Sequence, residues 1–586
     1  MRTSHWVAVA LVAAVLAALG AVPAADNVTH RVLGLVDELP WSALWSPLWN
    51  PRPLESYSIR PLSVLLLKVY GLAVEGPIPP LWLQWLKGVV SLVGVAVGGA
   101  AWLRGHRLPA WPALAVPLLT PTLFSAWYLP EFDALAAGAT LGGCALLARG
   151  RWLPAGLLLA FSLLLKESSA LVTFAFLFAE LVGRRQRRWL VPIGLGVAVW
   201  LALTLQLPAS APDGGADLQT RLGVFEHDLT QLVYLASPSG AVLLLLGGAR
   251  KPALAWIGLT GLVTAPLLLG FSHYETLYYS PRWLAWALGA ALASGLVLWL
   301  RKATTPALAV ILSWAGLSAV IVVGPTARED LASRLFLACA VPMAGLAWHG
   351  VERLWFGAHR WAVGALAAGL AWYPLAHALN YSQDFRARAT VDLAGRTELA
   401  QQDLAGAVVI FDNHVEPLGG AELTALGASS VAGTYFSMAP AWLHEHRLPV
   451  VDWGEGTVDP EASIVDGRAV YLYFLSGTLD RGGRLAGDFS WTRREWGMFM
   501  PLDTGVPGRP RAHNLVEDQR FSQTRPRPSW MESRAGALGH ALSEDEVRVI
   551  RVPLHLHDMG RRLIEGAPLV QGVSWRASLY ALDSPG

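Results

Sequence analysis

Apolar residues gather into long runs, separated by short polar connections, through the first 380 residues of the chain. The runs fall at 6–23, 81–103, 109–127, 132–148, 152–165, 167–183, 189–207, 230–248, 252–272, 283–300, 305–323, 335–349 and 361–379. A helix needs about 20 residues to cross the hydrocarbon core of a bilayer. The pattern therefore predicts a polytopic α-helical membrane protein with about eleven to thirteen transmembrane helices. The shorter runs are read as tilted or re-entrant. The first run follows Arg2 and ends near the small residues Ala21, Val22, Pro23, Ala24 and Ala25. A cleaved signal peptide would show the same flanks. Its nearly spanning length, with many runs after it, favours an uncleaved first helix.

From about Asn380 the pattern changes. Polar residues return, and 407–413 (AVVIFDN), 469–475 (AVYLYFL) and 547–556 (VRVIRVPLHL) read as short strands bounded by turn residues. Helical patterns fall at 392–404 and 559–565. The expected organisation is a membrane module over 1–379, with a long first outer loop at 24–80, followed by an extracytoplasmic soluble α+β domain over 380–586.

Composition agrees with that division. Of 586 residues, 54% are hydrophobic and only 15% are charged, against about 25% charged in soluble proteins. Mean hydropathy is +0.41. A net charge of +2 gives no basic excess for nucleic acid. The two cysteines, Cys144 and Cys339, both lie inside apolar runs, which excludes a disulfide framework. They are read as inert.

Charge sets the orientation. Arg104 with Arg107, Arg149 with Arg151, the Arg184–Arg188 cluster, Arg250 with Lys251, Arg301 with Lys302, and Arg353 with Arg360 occupy alternate connections. Short basic connections stay cytoplasmic. The segments 24–80, 128–131, Lys166-Glu167, 208–229, 273–282, 324–334 and everything after 380 then lie on the other side. The Ala-, Leu-, Trp- and Arg-rich usage points to a bacterial inner membrane.

Candidate chemistry collects on that outer side. The first loop carries Asp26, Asp37 and Glu38, then Trp41, Trp45 and Trp49 at every fourth position, then Arg60-Pro61-Leu62. The Trp spacing makes one aromatic stripe on a short helix, suited to a membrane interface. Asp26 follows the first run at the water boundary, where a partly desolvated carboxylate can act as a base; a solvated helix-end charge is the plain alternative. Asp37 and Glu38 fit either a helix start or catalysis. Glu131 and Asp133 stand between two runs, and Glu131 is either a helix-start carboxylate or a functional acid held where charge is costly. Lys166-Glu167 interrupts two apolar runs, as a salt-bridged turn or as a contact to a headgroup or sugar. Arg282 and Arg334 each open an inward-running helix, as phosphate ligands or as snorkelling side chains. His444-Glu445-His446 and His555-Leu556-His557-Asp558 lack zinc-site spacing. No Walker loop, GxSxG or dinucleotide fingerprint occurs, so an ATP-driven pump is unsupported.

Five short motifs in order carry a resemblance. They are Asp26-Asn27-Val28-Thr29-His30, Ile59-Arg60-Pro61-Leu62, Pro130-Glu131, Leu165-Lys166-Glu167-Ser168 and Ala332-Ser333-Arg334-Leu335-Phe336. Together, over roughly residues 1–350, they resemble the GT-C integral-membrane glycosyltransferases, the superfamily of the protein O-mannosyltransferases. Asn27 stands where the family often has a second Asp, Ile59 where it has Tyr, and Ser333 where it has Glu, which leaves Asp26 as the principal carboxylate. The resemblance implies inverting transfer of a sugar from a polyprenyl-phosphate donor to an acceptor on the extracytoplasmic side. It implies Asp26 as base, Glu131 positioning acceptor or sugar, and Arg60, Lys166, Glu167, Arg282 and Arg334 around the donor phosphate and substrate. The implied partners are the lipid-linked donor, membrane lipids and an acceptor that is a glycan, a lipid or a protein; a divalent cation is left open and no metal ligand is assigned. A transporter or flippase of lipid-linked sugars is the competing class, although no matching halves are visible. An oligosaccharide ligase or polymerase is the other.

Overall fold

The computed structural model describes residues 3–20, 41, 61–71, 81–127, 131–166, 169–183, 225, 229, 232–233, 235–249, 282–323, 336–357, 360–399, 408–412, 470–481, 484–489, 539–541, 547–552, 556–566 and 569–582. Structural statements below concern these residues. The chain is mostly helical. Its helices are α1 (Thr3–Gly20), α2 (Pro61–Gly71), α3 (Leu81–Gly105), α4 (Thr120–Trp127), α5 (Asp133–Ala148), α6 (Trp152–Leu165), α7 (Ser169–Gly183), α8 (Pro238–Gly248), α9 (Arg282–Trp299), α10 (Thr304–Val323), α11 (Leu337–Leu354) and α12 (Arg360–Leu399).

Among the described residues, two helices, Trp82–Gly105 and Arg360–Asn380, are long and apolar enough to cross a membrane. Several other apolar helices are shorter, α5, α6, α7 and α8 among them. The expected spans at 189–207 and 252–272 lie outside the described residues.

One expected span takes a different form. Residues 109–127 do not make a single helix. They form two 3-10 turns, Trp111–Leu114 and Val116–Leu118, and then the short α4. The cause is proline: Pro112, Pro117 and Pro121 each lack the N–H that a continuing helix would use, and each ring clashes with the preceding turn.

Small residues let the helices approach. α3 packs on α1, α4 and α5, α7 on α10, and α8 on α9, α11 and α12. Gly94 and Gly98 of α3 face Gly138 of α5. A Cβ on Gly138 would lie 2.7 Å from the Gly94 carbonyl carbon, and one on Gly98 would lie 2.8 Å from the Gly138 oxygen. Backbone thus meets backbone, the contact that small-xxx-small spacing permits. Gly247 and Gly350 join α8 to α11 the same way, a Cβ on Gly247 falling 2.5 Å from the Gly350 Cα. Trp102, Phe124, Phe176, Trp299 and Phe336 fill the interior. On the outside α6 presents Leu153, Leu157 and Leu164, while its Ser162 is buried.

α12 runs unbroken through the domain boundary expected at 379/380. Its 40 residues extend about 60 Å at 1.5 Å per residue. The strands are β1 (Val408–Asp412), β2 (Val470–Arg481), β3 (Arg484–Phe489), β4 (Gly539–Ala541), β5 (Val547–Arg551) and β6 (Gln571–Leu582), with α13 (Leu556–Glu565) before the last. They form one sheet, β1-β2-β6-β4, with β3 beside β2 and β5 beside β6. β1 lies parallel to β2, and β2 pairs antiparallel with β6 from Val470↔Leu582 to Asp480↔Gly572.

Candidate functional site

The densest buried polar group lies at one end of the helical bundle, where α2, α3, α4, α5 and α6 each contribute a residue. Asp133 is the first residue of α5, where the helix dipole favours a carboxylate. Ser125 of α4 caps that helix: its hydroxyl accepts from the Ala134 N–H at 2.9 Å, satisfying one of the donors a helix start leaves open. The Ser125 carbonyl in turn accepts from the Lys87 ammonium of α3 at 2.8 Å. Lys87 also sits 5.2 Å from the Phe132 ring centroid, a cation–π distance.

Lys166 closes the group. It ends α6 with an extended backbone, and its carbonyl accepts from the Ser169 N–H at 3.1 Å and the Ser169 hydroxyl at 2.7 Å. Ser63 of α2 donates to the adjacent Leu165 carbonyl. So fixed, Lys166 extends its ammonium between two carboxylates. It meets Glu131 Oε2 at 2.6 Å and both oxygens of Asp133 at 2.7 Å. The Lys166 and Asp133 side chains are each 3% exposed and that of Glu131 12%. Glu131 is therefore the carboxylate that reaches outward.

Buried ions stay charged only when paired and hydrogen-bonded. The contact with Lys166 fixes the orientation of the Glu131 carboxylate, whose outward edge can accept hydrogen bonds from a hydroxylated ligand. Below it lies a hydroxyl cluster: Thr140 Oγ1 is 2.8 Å from both Ser162 Oγ and Thr173 Oγ1, and Ser162 donates to the Ala136 carbonyl.

A second polar group sits at the opposite end of α3. Trp102 Nε1 donates to Glu180 Oε1 at 2.7 Å, and His106 Nε2 lies 2.6 Å from the same oxygen. Glu180 is fully buried. Along the α3 axis, Lys87 and His106 are about 28 Å apart.

Of the residues singled out in the sequence, the structure joins Glu131 and Lys166 directly. Lys166 is committed to carboxylates here, and Arg282 is the first residue of α9. Asp26, Asp37, Glu38, Arg60, Glu167 and Arg334 lie outside the described residues. The sequence alone places Asp133 beside Glu131 without a role of its own, and Lys87 and Glu180 are not among its candidates. The signal for both was available: each is a charge within an otherwise apolar run. Among the described residues, no three His, Cys, Asp or Glu side chains converge as a metal site. Comparison with known proteins supplies no relative: no family model, no curated protein and no solved structure matches this chain.

Proposed function

We propose that the chain is a polytopic membrane glycosyltransferase of GT-C type, moving a sugar from a polyprenyl-phosphate donor to an acceptor on the extracytoplasmic side. The observation that carries the reading is Lys166 held between Glu131 and Asp133 at one end of an apolar bundle. Buried polar groups lie inside and Leu153, Leu157 and Leu164 outside, an arrangement suited to lipid. The two polar ends of α3 are separated by about the thickness of a hydrocarbon core.

In this reading Asp26, in the first loop, takes the proton from an acceptor hydroxyl. The acceptor oxygen bonds to the anomeric carbon as the bond from that carbon to the phosphate oxygen breaks. Polyprenyl phosphate leaves with the electron pair. Glu131 orients the acceptor or sugar, and Lys166, with Asp133, fixes Glu131. Arg60, Arg282 and Arg334 stabilise the leaving phosphate, and Glu167 contacts substrate. Residues 380–586 form the extracytoplasmic part, and the bacterial inner membrane is the proposed location.

Sugar release from a panel of polyprenyl-phosphate sugars, measured in membranes, tests this. Wild type should turn over one donor, and Asp26→Asn and Glu131→Gln should lose that turnover at unchanged expression. Turnover equal in all three would remove both residues from the mechanism. Movement of intact donor across the bilayer without release of polyprenyl phosphate would instead establish a transporter.

A further inference from the structure

Between β5 and β6 the described side chains set a buried arginine beside exposed apolar residues. In α13 Arg562 is buried, whereas Leu563 is 65% and Ile564 88% exposed. Ile550, Leu569 and Val570 are exposed as well. Single exposed apolar residues are ordinary, but a run of them between Ile550 and Val570, next in sequence to a buried arginine, marks an interaction face. The five side chains belong to one short stretch of chain. Ile550 pairs with Gly572 across β5 and β6, two residues beyond Val570, and Gly566, at φ +65°, directly follows α13.

The position of this face identifies its occupant. The Asn380 side chain pairs with the backbone of Val552, the residue after β5, donating to its carbonyl and accepting from its N–H, both at 3.0 Å. Gln383, one turn on in α12, accepts from the Ile550 N–H at 2.9 Å. β5 is therefore hung from α12 at the residue where its candidate span, Arg360–Asn380, ends. That span is about 31 Å long, which matches the hydrocarbon thickness. A face pinned there lies at the level of the lipid headgroups.

We infer that Ile550, Leu563, Ile564, Leu569 and Val570 form a membrane-docking face, seated in the headgroup–acyl boundary of the leaflet into which α12 emerges. Its ligand is the lipid surface itself, entered to about the 5–10 Å typical of interfacial apolar faces. Docking fixes the sheet against the membrane plane. The inference rests on α12 crossing the bilayer and is independent of the transfer chemistry.

Spin-labelling of the full-length protein in nanodiscs tests it, by comparing collision with oxygen, which concentrates in lipid, and with a water-soluble nickel chelate. Ala371→Cys, on the exposed side of the span, should favour oxygen, and Arg386→Cys, beyond it, should favour nickel. Ile564→Cys and Val570→Cys should both favour oxygen. Adding Leu563→Glu and Ile564→Glu to Val570→Cys should reverse its preference. Nickel preference at Ile564 and Val570, with Ala371 in lipid, overturns docking alone, as does protection from both agents, which would mean that protein covers the face. Nickel preference at Ala371 overturns the membrane reading and docking with it.

Discussion

Removing the Lys166 ammonium would leave Glu131 and Asp133 close together in a pocket where neither is well hydrated. Lys166→Met should cost about 3–5 kcal/mol, the usual penalty for breaking a buried ion pair by deleting one partner, read as a lowered unfolding midpoint in detergent. Its two carboxylates should respond differently. Asp133→Asn, at the more enclosed position, should reduce stability by about 2 kcal/mol. Glu131→Gln should leave the midpoint nearly unchanged and lower sugar transfer by about 10²-fold, as expected when a positioning contact is lost. A variant pair with these two effects exchanged would assign the outward role to Asp133. At the far end of α3, Glu180→Leu leaves the Trp102 and His106 donors without their acceptor, and should destabilise by about 1–3 kcal/mol while transfer kinetics stay as in wild type.

Helix contacts depend on where a methyl group can fit. Gly138→Ala forces a Cβ onto the α3 backbone and should destabilise by about 1–3 kcal/mol. Gly156→Ala, where a Cβ meets nothing within 4 Å, should be neutral or stabilise α6 by up to about 1 kcal/mol. Thermal unfolding of the purified pair checks both signs. The helices themselves were legible in the apolar runs, because burial and lipid both select for the same continuous hydrophobicity. The interruption of 109–127 was also written in Pro112, Pro117 and Pro121, but averaging over the run conceals it. The site was legible in part. Lys166 and Glu131 stand out as charges beside apolar sequence, whereas their contact depends on the start of α5 and the end of α6 lying at the same height. Lys87 and Ser125 are joined by a side chain to a backbone carbonyl, and a carbonyl has no sequence signature. The glycine seam between α3 and α5 was not anticipated, since spacing alone cannot say which helix a glycine faces.

For the whole molecule, orientation is the statement most open to test. Arg151 is exposed in a basic connection at the end of the bundle remote from Lys166, and Arg386 is exposed beyond the α12 span. In spheroplasts, a membrane-impermeant maleimide should label Arg386→Cys directly and Arg151→Cys only after permeabilisation. Cys144 and Cys339 are both buried and should contribute little background. Labelling of both sites from outside would overturn the proposed topology, and the reverse pattern would invert it.

The pairing of Asn380 with Val552 joins residues 172 positions apart, so the helix end must wait for most of the remaining chain to be synthesised before its amide finds the strand. Until then the Val552 backbone, just past β5, lacks its Asn380 partner, and that end of the strand stays open. Unsatisfied strand edges invite proteolysis and aggregation. This one side chain therefore acts as a completion contact: the sheet is closed onto the long helix only in chains synthesised through Val552, whichever way α12 is threaded.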